Sequence, residues 1–221
     1  MCRKPINRLS VGNLMGRIVK RPDIRKKEFI QTAKELFLLK GYEDTSVEEI
    51  INKMGVAKGC FYHYFTSKEE LLMAVIDESL LDLESAVNKI LNEKNIDATQ
   101  RLGRIFEATI MWRRSYQGLA DYFHRQSNRY IHYEIEKKGT ELMIPVLEQI
   151  ILQGKKEGIF ETRYPREAAI AYLSTLNALS GTISSNEQET YTQEKEKILE
   201  HFSEQILMAK PRTFQFYAKY I

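Results

Sequence analysis

Two short apolar-faced runs separated by a single glycine constrain this chain more than any other feature in it. Residues 46–65 read Ser-Val-Glu-Glu-Ile-Ile-Asn-Lys-Met-Gly-Val-Ala-Lys-Gly-Cys-Phe-Tyr-His-Tyr-Phe. Val47, Ile50, Ile51 and Met54 recur at i, i+3, i+4 and i+7, the spacing of one face of an α-helix. Thr45 with Glu48, and Ser46 with Glu49, both fit a capping box and place the helix start there. Gly55 ends the run, and a second short helix is expected over about Ala57–Tyr64. Two such helices joined by a tight turn form a helix-turn-helix. Ile50, Ile51, Met54, Val56, Phe61 and Phe65 can form the small core that fixes their crossing angle. Ala57, Lys58 and Gly59 open the second helix with small or basic side chains. Its N-terminus can then approach DNA closely, where backbone N–H groups favour phosphate. Tyr62 and His63 follow one turn later, as polar-tipped rings suited to backbone contact. Lys68 opens the next helix, a second position where the helix dipole favours an anion.

The rest of the chain also reads as helices. There is no convincing period-2 strand run and no internal repeat. The first helix is expected from Asp23 to Lys40, with Ile30, Ala33, Phe37 and Lys40 on one stripe, Leu36 beside it and Gly41 as its stop. After Thr66-Ser67 a long helix continues to about Asn92. Asp97 caps another that ends near Tyr116, and a short one is expected over about 119–126. A stretch from Arg129 to Lys156 contains Pro145, which should kink or divide it. Pro165 suits the first turn of a helix to about Ser184. The polar segment Ser184–Thr190 precedes a last helix, which Pro211 stops. The fold class is therefore all-α with about nine helices. The expected domains are a basic extension (1–22), a helix-turn-helix domain (23–68), a larger helical domain (69–210) and a C-terminal tail (211–221).

Composition narrows the function classes. Of the 221 residues 43% are hydrophobic and 29% are charged, enough to build a core and stay dissolved. This excludes disordered and collagen-like chains. No run of 18 apolar residues exists to span a membrane, and the basic N-terminus lacks the apolar segment of a secretory signal. Residues 1–14 precede a second methionine, Met15, which could be the true start. Two cysteines, Cys2 and Cys60, make neither a disulfide framework nor a four-ligand zinc site, and a reduced, cytoplasmic chain is the simplest reading. Net charge is +3, but residues 1–22 carry six basic groups and no acid, residues 23–68 sum to +1 and the remainder to −4. A basic end on a mildly acidic body suits a polyanion partner.

The stretch Gly41-Tyr42 … Thr45-Ser46-Val47 … Ile50 … Gly55-Val56-Ala57-Lys58-Gly59 … Phe61-Tyr62-His63-Tyr64-Phe65 … Ser67-Lys68-Glu69-Glu70-Leu71 resembles the N-terminal signature of the TetR family of transcriptional regulators. The resemblance covers about 45 residues. It implies a three-helix DNA-binding domain joined by the fourth helix to a variable all-helical domain. It also implies that Thr45, Tyr62, His63 and Lys68 contact phosphate, while Lys58 and Gly59 face base edges. With Ser46, Ala57 and Cys60 these residues make up the expected DNA-binding set. Ala57 replaces the usual Ser or Thr, so the third helix should lack a side-chain cap. Cys60 stands where Thr, Ser or another small residue is more usual.

Beyond residue 68 the pattern is less specific. Ile144-Pro145-Val146-Leu147 … Gln153-Gly154 … Glu157-Gly158-Ile159-Phe160 loosely resembles a stretch preceding the penultimate helix of many such regulators. Two final helices forming a homodimer interface are then implied. Their apolar bands suit either ordinary core or a four-helix interface. We assign Ala169, Tyr172, Leu173, Leu176, Ile198, Phe202 and Ile206 to that interface. Residues 106–133 are rich in rings, and the family's effector pocket lies among such helices. Phe106, Trp112, Tyr116, Tyr122, Phe123 and Tyr130 are the candidate lining for a partly apolar or aromatic small molecule, although rings also serve as plain core. Asp121 and His124 are one turn apart and His132 is near, but no third ligand at helical spacing completes a metal site. No cofactor and no membrane partner is expected. Phosphate-cradling loops, Gly-x-Ser-x-Gly and His-Glu-x-x-His are absent, so no enzyme motif competes. The expected function is a ligand-responsive transcriptional repressor that binds double-stranded DNA and is released from a palindromic operator by a small molecule. A regulator without a ligand, or an all-helical enzyme, are the alternatives.

Overall fold

The computed structural model describes residues 21–115, 129–181 and 190–219. Among these are eight α-helices: α1 (Pro22–Lys40), α2 (Val47–Met54), α3 (Lys58–Tyr64), α4 (Lys68–Leu91), α5 (Ala98–Ser115), α6 (Arg129–Lys156), α7 (Pro165–Gly181) and α8 (Thr190–Leu207). A 3-10 turn, Gln215–Lys219, follows. The all-α expectation therefore holds. The short helix expected over 119–126 and the basic extension lie outside the described residues. No described helix is long and apolar enough to cross a membrane.

The packing divides within α4. One compact unit runs to Leu81, and a second takes in Asp82–Ser115 and Glu134 onward. In the first unit α1 turns Phe29, Ala33, Leu36 and Phe37 inward. Ile30, expected on that stripe, is only half-buried. Leu71, Leu72, Val75 and Ile76 of α4 are buried in turn. At the start of α4 the Ser67 hydroxyl accepts from the Glu70 N–H at 3.1 Å, and the Glu70 carboxylate accepts from the Thr66 N–H at 2.6 Å. That arrangement satisfies orphan donors reciprocally across the first turn.

The second unit has a core of α5, α6, α7 and α8. Asp97 and Gln100 form a full capping box at α5. The Gln100 N–H donates to Asp97 Oδ1 at 2.8 Å and the Asp97 N–H to Gln100 Oε1 at 3.1 Å. Arg101 is buried, and its guanidinium donates to the carbonyls of Ile90, Leu91 and Glu93 and to Gln153 Oε1. These are the orphan acceptors at the end of α4, so a buried cation acts as the helix cap. Pro145 does not divide α6. It lies on the solvent face, as does Glu141, whose carbonyl loses its helical donor to the proline ring and can turn to water instead.

The C-terminal segment differs most from expectation. Residues 211–219 are not a loose tail. Phe214 (0% exposed) and Tyr217 (1%) enter the core, and Phe160 and Phe214 stack with centroids 6.0 Å apart. Tyr217 Oη lies 2.7 Å from Tyr172 Oη and 2.9 Å from Ser203 Oγ, a hydroxyl chain joining the turn to α7 and α8. Burial pushes the Tyr217 phenol up to about 12 and raises that of Tyr172 well above its ordinary value. Both hydroxyls are therefore neutral donors and acceptors. Tyr217→Phe would leave the hydroxyls of Tyr172 and Ser203 without this partner, a loss of about 1–3 kcal/mol. The expected result is a lower thermal midpoint with unchanged helix content by circular dichroism. An unchanged midpoint would show that the chain of hydroxyls holds nothing.

Candidate nucleic-acid interface and effector cavity

The geometry of the first unit begins with two turns. Ser46 caps α2 through its hydroxyl, which accepts from the Glu49 N–H at 3.1 Å. Gly55 adopts a left-handed conformation (φ 63°, ψ 40°), which glycine enters without a Cβ penalty. The Val56 N–H then bonds to the Ile51 carbonyl at 3.0 Å, sealing the turn before α3. The inward side of α3 is locked by rings. Phe61 lies 5.8 Å from both Phe29 and Phe65 by centroids, and Phe29 meets Phe61 and Phe65 edge-on. Such contacts fix the rotation of α3 about its axis.

That rotation decides which expected contact residues face outward. Lys58, Gly59, Tyr62 and His63 are exposed together on α3. Ala57 is half-buried, and no side chain caps α3, as its identity implied. Ser46 is exposed but already engaged as the α2 cap. Thr45 and Cys60 differ from expectation. Thr45 is fully buried and donates its hydroxyl to the Gly41 carbonyl at 2.8 Å, so its side chain holds the turn after α1. Cys60 is 1% exposed, on the core side of α3, because a residue two before Tyr62 and one before Phe61 falls on the helix's inner flank.

Lys68 also takes a different part. Its ammonium donates to the carbonyls of Tyr42 at 2.9 Å, Thr45 at 3.0 Å and Glu43 at 3.5 Å, and lies 4.1 Å from the Tyr42 ring centroid. Burial pulls the ammonium below its ordinary pKa, while the charges of Glu69, Glu43 and Asp44 act the other way. Its three N–H donors are committed to the 42–45 turn, so it positions that turn against α4. Elsewhere in the unit Lys53 pairs with Glu35 at 3.0 Å, and Lys40 with Glu49. Lys58 makes no ion pair or hydrogen bond among the described residues and presents its charge to solvent. Gly59 is informative for another reason. A Cβ built there meets nothing within 4 Å, so the fold itself has no need of glycine at this position.

The second unit contains a cavity between α5, α6 and α7. Its volume is about 40 Å³. That is room for roughly three waters, and a larger guest requires the walls to give. Phe106 lines it as expected. Trp112 packs against the adjoining core and is not part of the lining. Tyr116, Asp121, Tyr122, Phe123 and His124, and the side chains of Tyr130 and His132, lie outside the described residues. Three residues assigned to a dimer interface, Tyr172, Leu173 and Leu176, line the cavity instead. Ala169 is fully buried within the chain, and Ile206 packs partly buried against the same core. Ile198 is half-buried, while Phe202 on α8 remains 48% exposed. The sequence reading missed Arg113 and Asn177, which give the lining its polar end. Only the helical register from Phe106 through Thr109 to Arg113 pointed to them. Among the described residues no group of three or more His, Cys, Asp or Glu could hold a metal.

Comparison with known proteins converges on the first unit. Residues 29–75 match the family model described as bacterial regulatory proteins, tetR family. An uncharacterized HTH-type transcriptional regulator of Bacillus subtilis, YuxN, is 35% identical over 88 residues, covering 40% of this chain and 29% of its own. The transcriptional activator FasR of Mycolicibacterium smegmatis is 34% identical over 106 residues, 48% of each chain. This chain thus spans less than half the length of either relative. A transcriptional regulator from Cytophaga hutchinsonii superposes with a TM-score of 0.62 at 22% identity, over 82% of this chain and 96% of that one. AibR, solved with isovaleryl coenzyme A and operator DNA, superposes with a TM-score of 0.51 at 19% identity, over 81% and 98%. These two superpositions show a shared fold.

Gly59→Ala separates what the fold needs from what a partner needs. In a helix, alanine is favoured over glycine by about 0.4–1 kcal/mol where the backbone permits it. The first unit should therefore become slightly more stable, while a duplex that comes close to α3 at this point would bind the variant more weakly, because the added methyl group takes up that space. A stability gain with unchanged duplex affinity would mean that nothing approaches α3 at this point.

Proposed function

Starting from the chain's membership of the TetR family of bacterial regulatory proteins, carried by residues 29–75, we propose that it is a DNA-binding transcriptional regulator that reads the major groove with α3. One observation carries this reading: Lys58, Gly59, Tyr62 and His63 share the exposed face of a short helix whose other face is locked by three phenylalanines. A fixed helix with an open outer face is what a groove requires. In this reading Lys58 and Gly59 meet base edges, and Tyr62 and His63 meet phosphate. Thr45, Cys60 and Lys68 support the face from behind. A homodimer would present two such helices to half-sites about 34–36 Å apart. Ile170 and Phe202, exposed on α7 and α8, suit the surface that pairs the two copies.

The cavity is the proposed effector site, and the mode is repression relieved by a small molecule. Relatives that share the first unit are named as an activator, FasR, and as a repressor, DhaR, so that unit serves either sign of regulation. AibR, whose structure holds isovaleryl coenzyme A with operator DNA, supports an effector in a chain of this fold. In this reading α4 is the route for coupling. Arg101 on α5 holds the last carbonyls of α4, and α5 also lines the cavity. α4 begins at Lys68, which holds the turn before α2. A guest that displaces α5 thus acts on a helix whose far end is tied to the reading head. Allosteric coupling of about 1–3 kcal/mol changes operator affinity roughly 5–150-fold.

Lys58→Met tests the reading of α3. Against a duplex enriched from a random pool by the wild-type protein, affinity should fall by about 1–3 kcal/mol, with a smaller loss on unselected duplex. Equal affinities of variant and wild type for the selected duplex would show that α3 does not read DNA.

A further inference from the structure

Two residues that line the cavity of the second unit also hold the segment 211–219 in place. Phe106 lines the cavity, and the Tyr217 ring meets it edge-on with centroids 4.9 Å apart. Tyr172 lines the cavity too, and its hydroxyl lies 2.7 Å from that of Tyr217. The buried Ser203 hydroxyl lies 2.9 Å from the same phenol. Phe216 sits beside them, 6.1 Å from Phe106 by centroids, and a Cβ built on Gly103 would meet its ring at 3.2 Å. The missing side chain at Gly103 thus lets that ring rest close to the α5 backbone. A phenol is in effect already bound here. Its ring lies against Phe106, its hydroxyl lies between two other hydroxyls, and its tether is the chain itself.

This occupant is held less firmly than the helices around it. It belongs to a 3-10 turn of five residues, too short to persist by its own hydrogen bonds. The chain enters that turn through Arg212, whose φ of 66° is a left-handed conformation that strains a residue bearing a Cβ. The segment is tied to the body by the Thr213 N–H on Glu204 Oε1 at 3.2 Å, by the Tyr217 hydroxyl and by the burial of its rings. A guest that placed a ring and a hydroxyl where Tyr217 has them would restore that burial and those bonds. The cavity alone, at about 40 Å³, is far smaller than the roughly 150 Å³ of a cavity that takes benzene, so an aromatic guest needs the space Tyr217 fills. We propose that Tyr217 is a tethered occupant of the effector site, and that the site takes a small aromatic alcohol of the phenol type, which displaces residues 213–217 and bonds to Tyr172 and Ser203. This deepens the effector reading above and rests on it for its regulatory meaning, though not for binding itself. The apolar body of the guest then extends among Leu102, Ile105, Met143, Leu147 and Leu173.

The test uses the full chain and two probes of nearly the same shape, 2-naphthol and naphthalene. Binding is followed by isothermal calorimetry, and the segment by hydrogen–deuterium exchange read by mass spectrometry. 2-Naphthol should bind the wild type about fivefold or more tighter than naphthalene, because a guest without a hydroxyl leaves Tyr172 and Ser203 unpartnered. Saturating 2-naphthol should speed exchange of the 213–217 amides while α5 and α7 stay protected. Tyr217→Phe adds no space but removes the hydroxyl of the tethered occupant, so both probes should bind this variant about fivefold or more tighter than wild type. A Tyr217 that merely backed the cavity wall would leave both affinities unchanged. Tyr172→Phe combined with Ser203→Ala should bring the two probes to within about twofold of each other, since the partners of the guest hydroxyl are gone. Naphthalene binding as tightly as 2-naphthol, no binding of 2-naphthol, unchanged or slower exchange of 213–217 in its presence, or Tyr217→Phe affinities no higher than wild type, would each overturn the proposal. The wild-type measurements decide it even where a variant does not fold. Duplex binding by the unliganded wild type is measured alongside. Its absence would count against the DNA-binding reading and leave the phenol site standing, whereas intact duplex binding without a preference for 2-naphthol would overturn the phenol site alone.

Discussion

The helix-turn-helix unit depends on one ammonium group. Lys68 sits at the first turn of α4 and shares its protons among the carbonyls of Tyr42, Glu43 and Thr45. Those carbonyls belong to the turn that sets where α2 begins, and α2 sets where α3 begins. The Thr45 hydroxyl on the Gly41 carbonyl closes the same turn from within. Without a cation there, three acceptors would need water in a place where Thr45 and Tyr42 admit little. Arg101 repeats the device at the other end of α4, on the carbonyls of Ile90, Leu91 and Glu93. A single helix of 24 residues thus has a cation holding carbonyl groups at each end.

The rings finish what the ammonium begins. Phe29 touches Phe61 and Phe65 edge-on, and Lys26 lies 5.5 Å from the Phe65 ring centroid. α3 is only seven residues long, too short to be stable through its own hydrogen bonds. Its tertiary contacts therefore decide both that it exists and which way it faces. The exposed set of Lys58, Gly59, Tyr62 and His63 follows from burying Cys60, Phe61 and Phe65.

Much of the first unit was legible because its signals are local. Ser46, Gly55 and the i, i+3, i+4, i+7 spacing of α2 are short-range features, and each lies where the sequence pattern placed it. The roles of Thr45, Cys60 and Lys68 were not legible in the same way. Whether a lysine faces solvent or a carbonyl can depend on a chain segment more than twenty residues distant, as for Lys68 and Tyr42, while Thr45 turns its hydroxyl back on Gly41 in a turn that no helical period marks. Farther along, periodicity showed that Tyr172, Leu173 and Leu176 share an apolar face but not what covers it. A cavity wall and a subunit interface have the same pattern. The C-terminal segment was misread because Pro211 ends α8 and no helical period follows. Its buried Phe214 and Tyr217 belong to a 3-10 turn too short to show one. Pro145 was expected to kink or divide its helix, and it does not divide it; a proline's cost depends on whether the orphaned carbonyl can reach water, which the sequence does not state.

The central claim is that α3 enters the major groove of DNA from two copies of this chain at once. Hydroxyl-radical footprinting of the wild-type protein on a duplex it selects from a random pool tests that claim most directly. The account predicts two protected segments related by a two-fold axis, with half-site centres about one helical turn apart, roughly 10 base pairs. Protection should weaken steeply as salt rises, because phosphate contacts release counter-ions. A footprint of uniform, sequence-independent protection, or no protection at low salt, would contradict it.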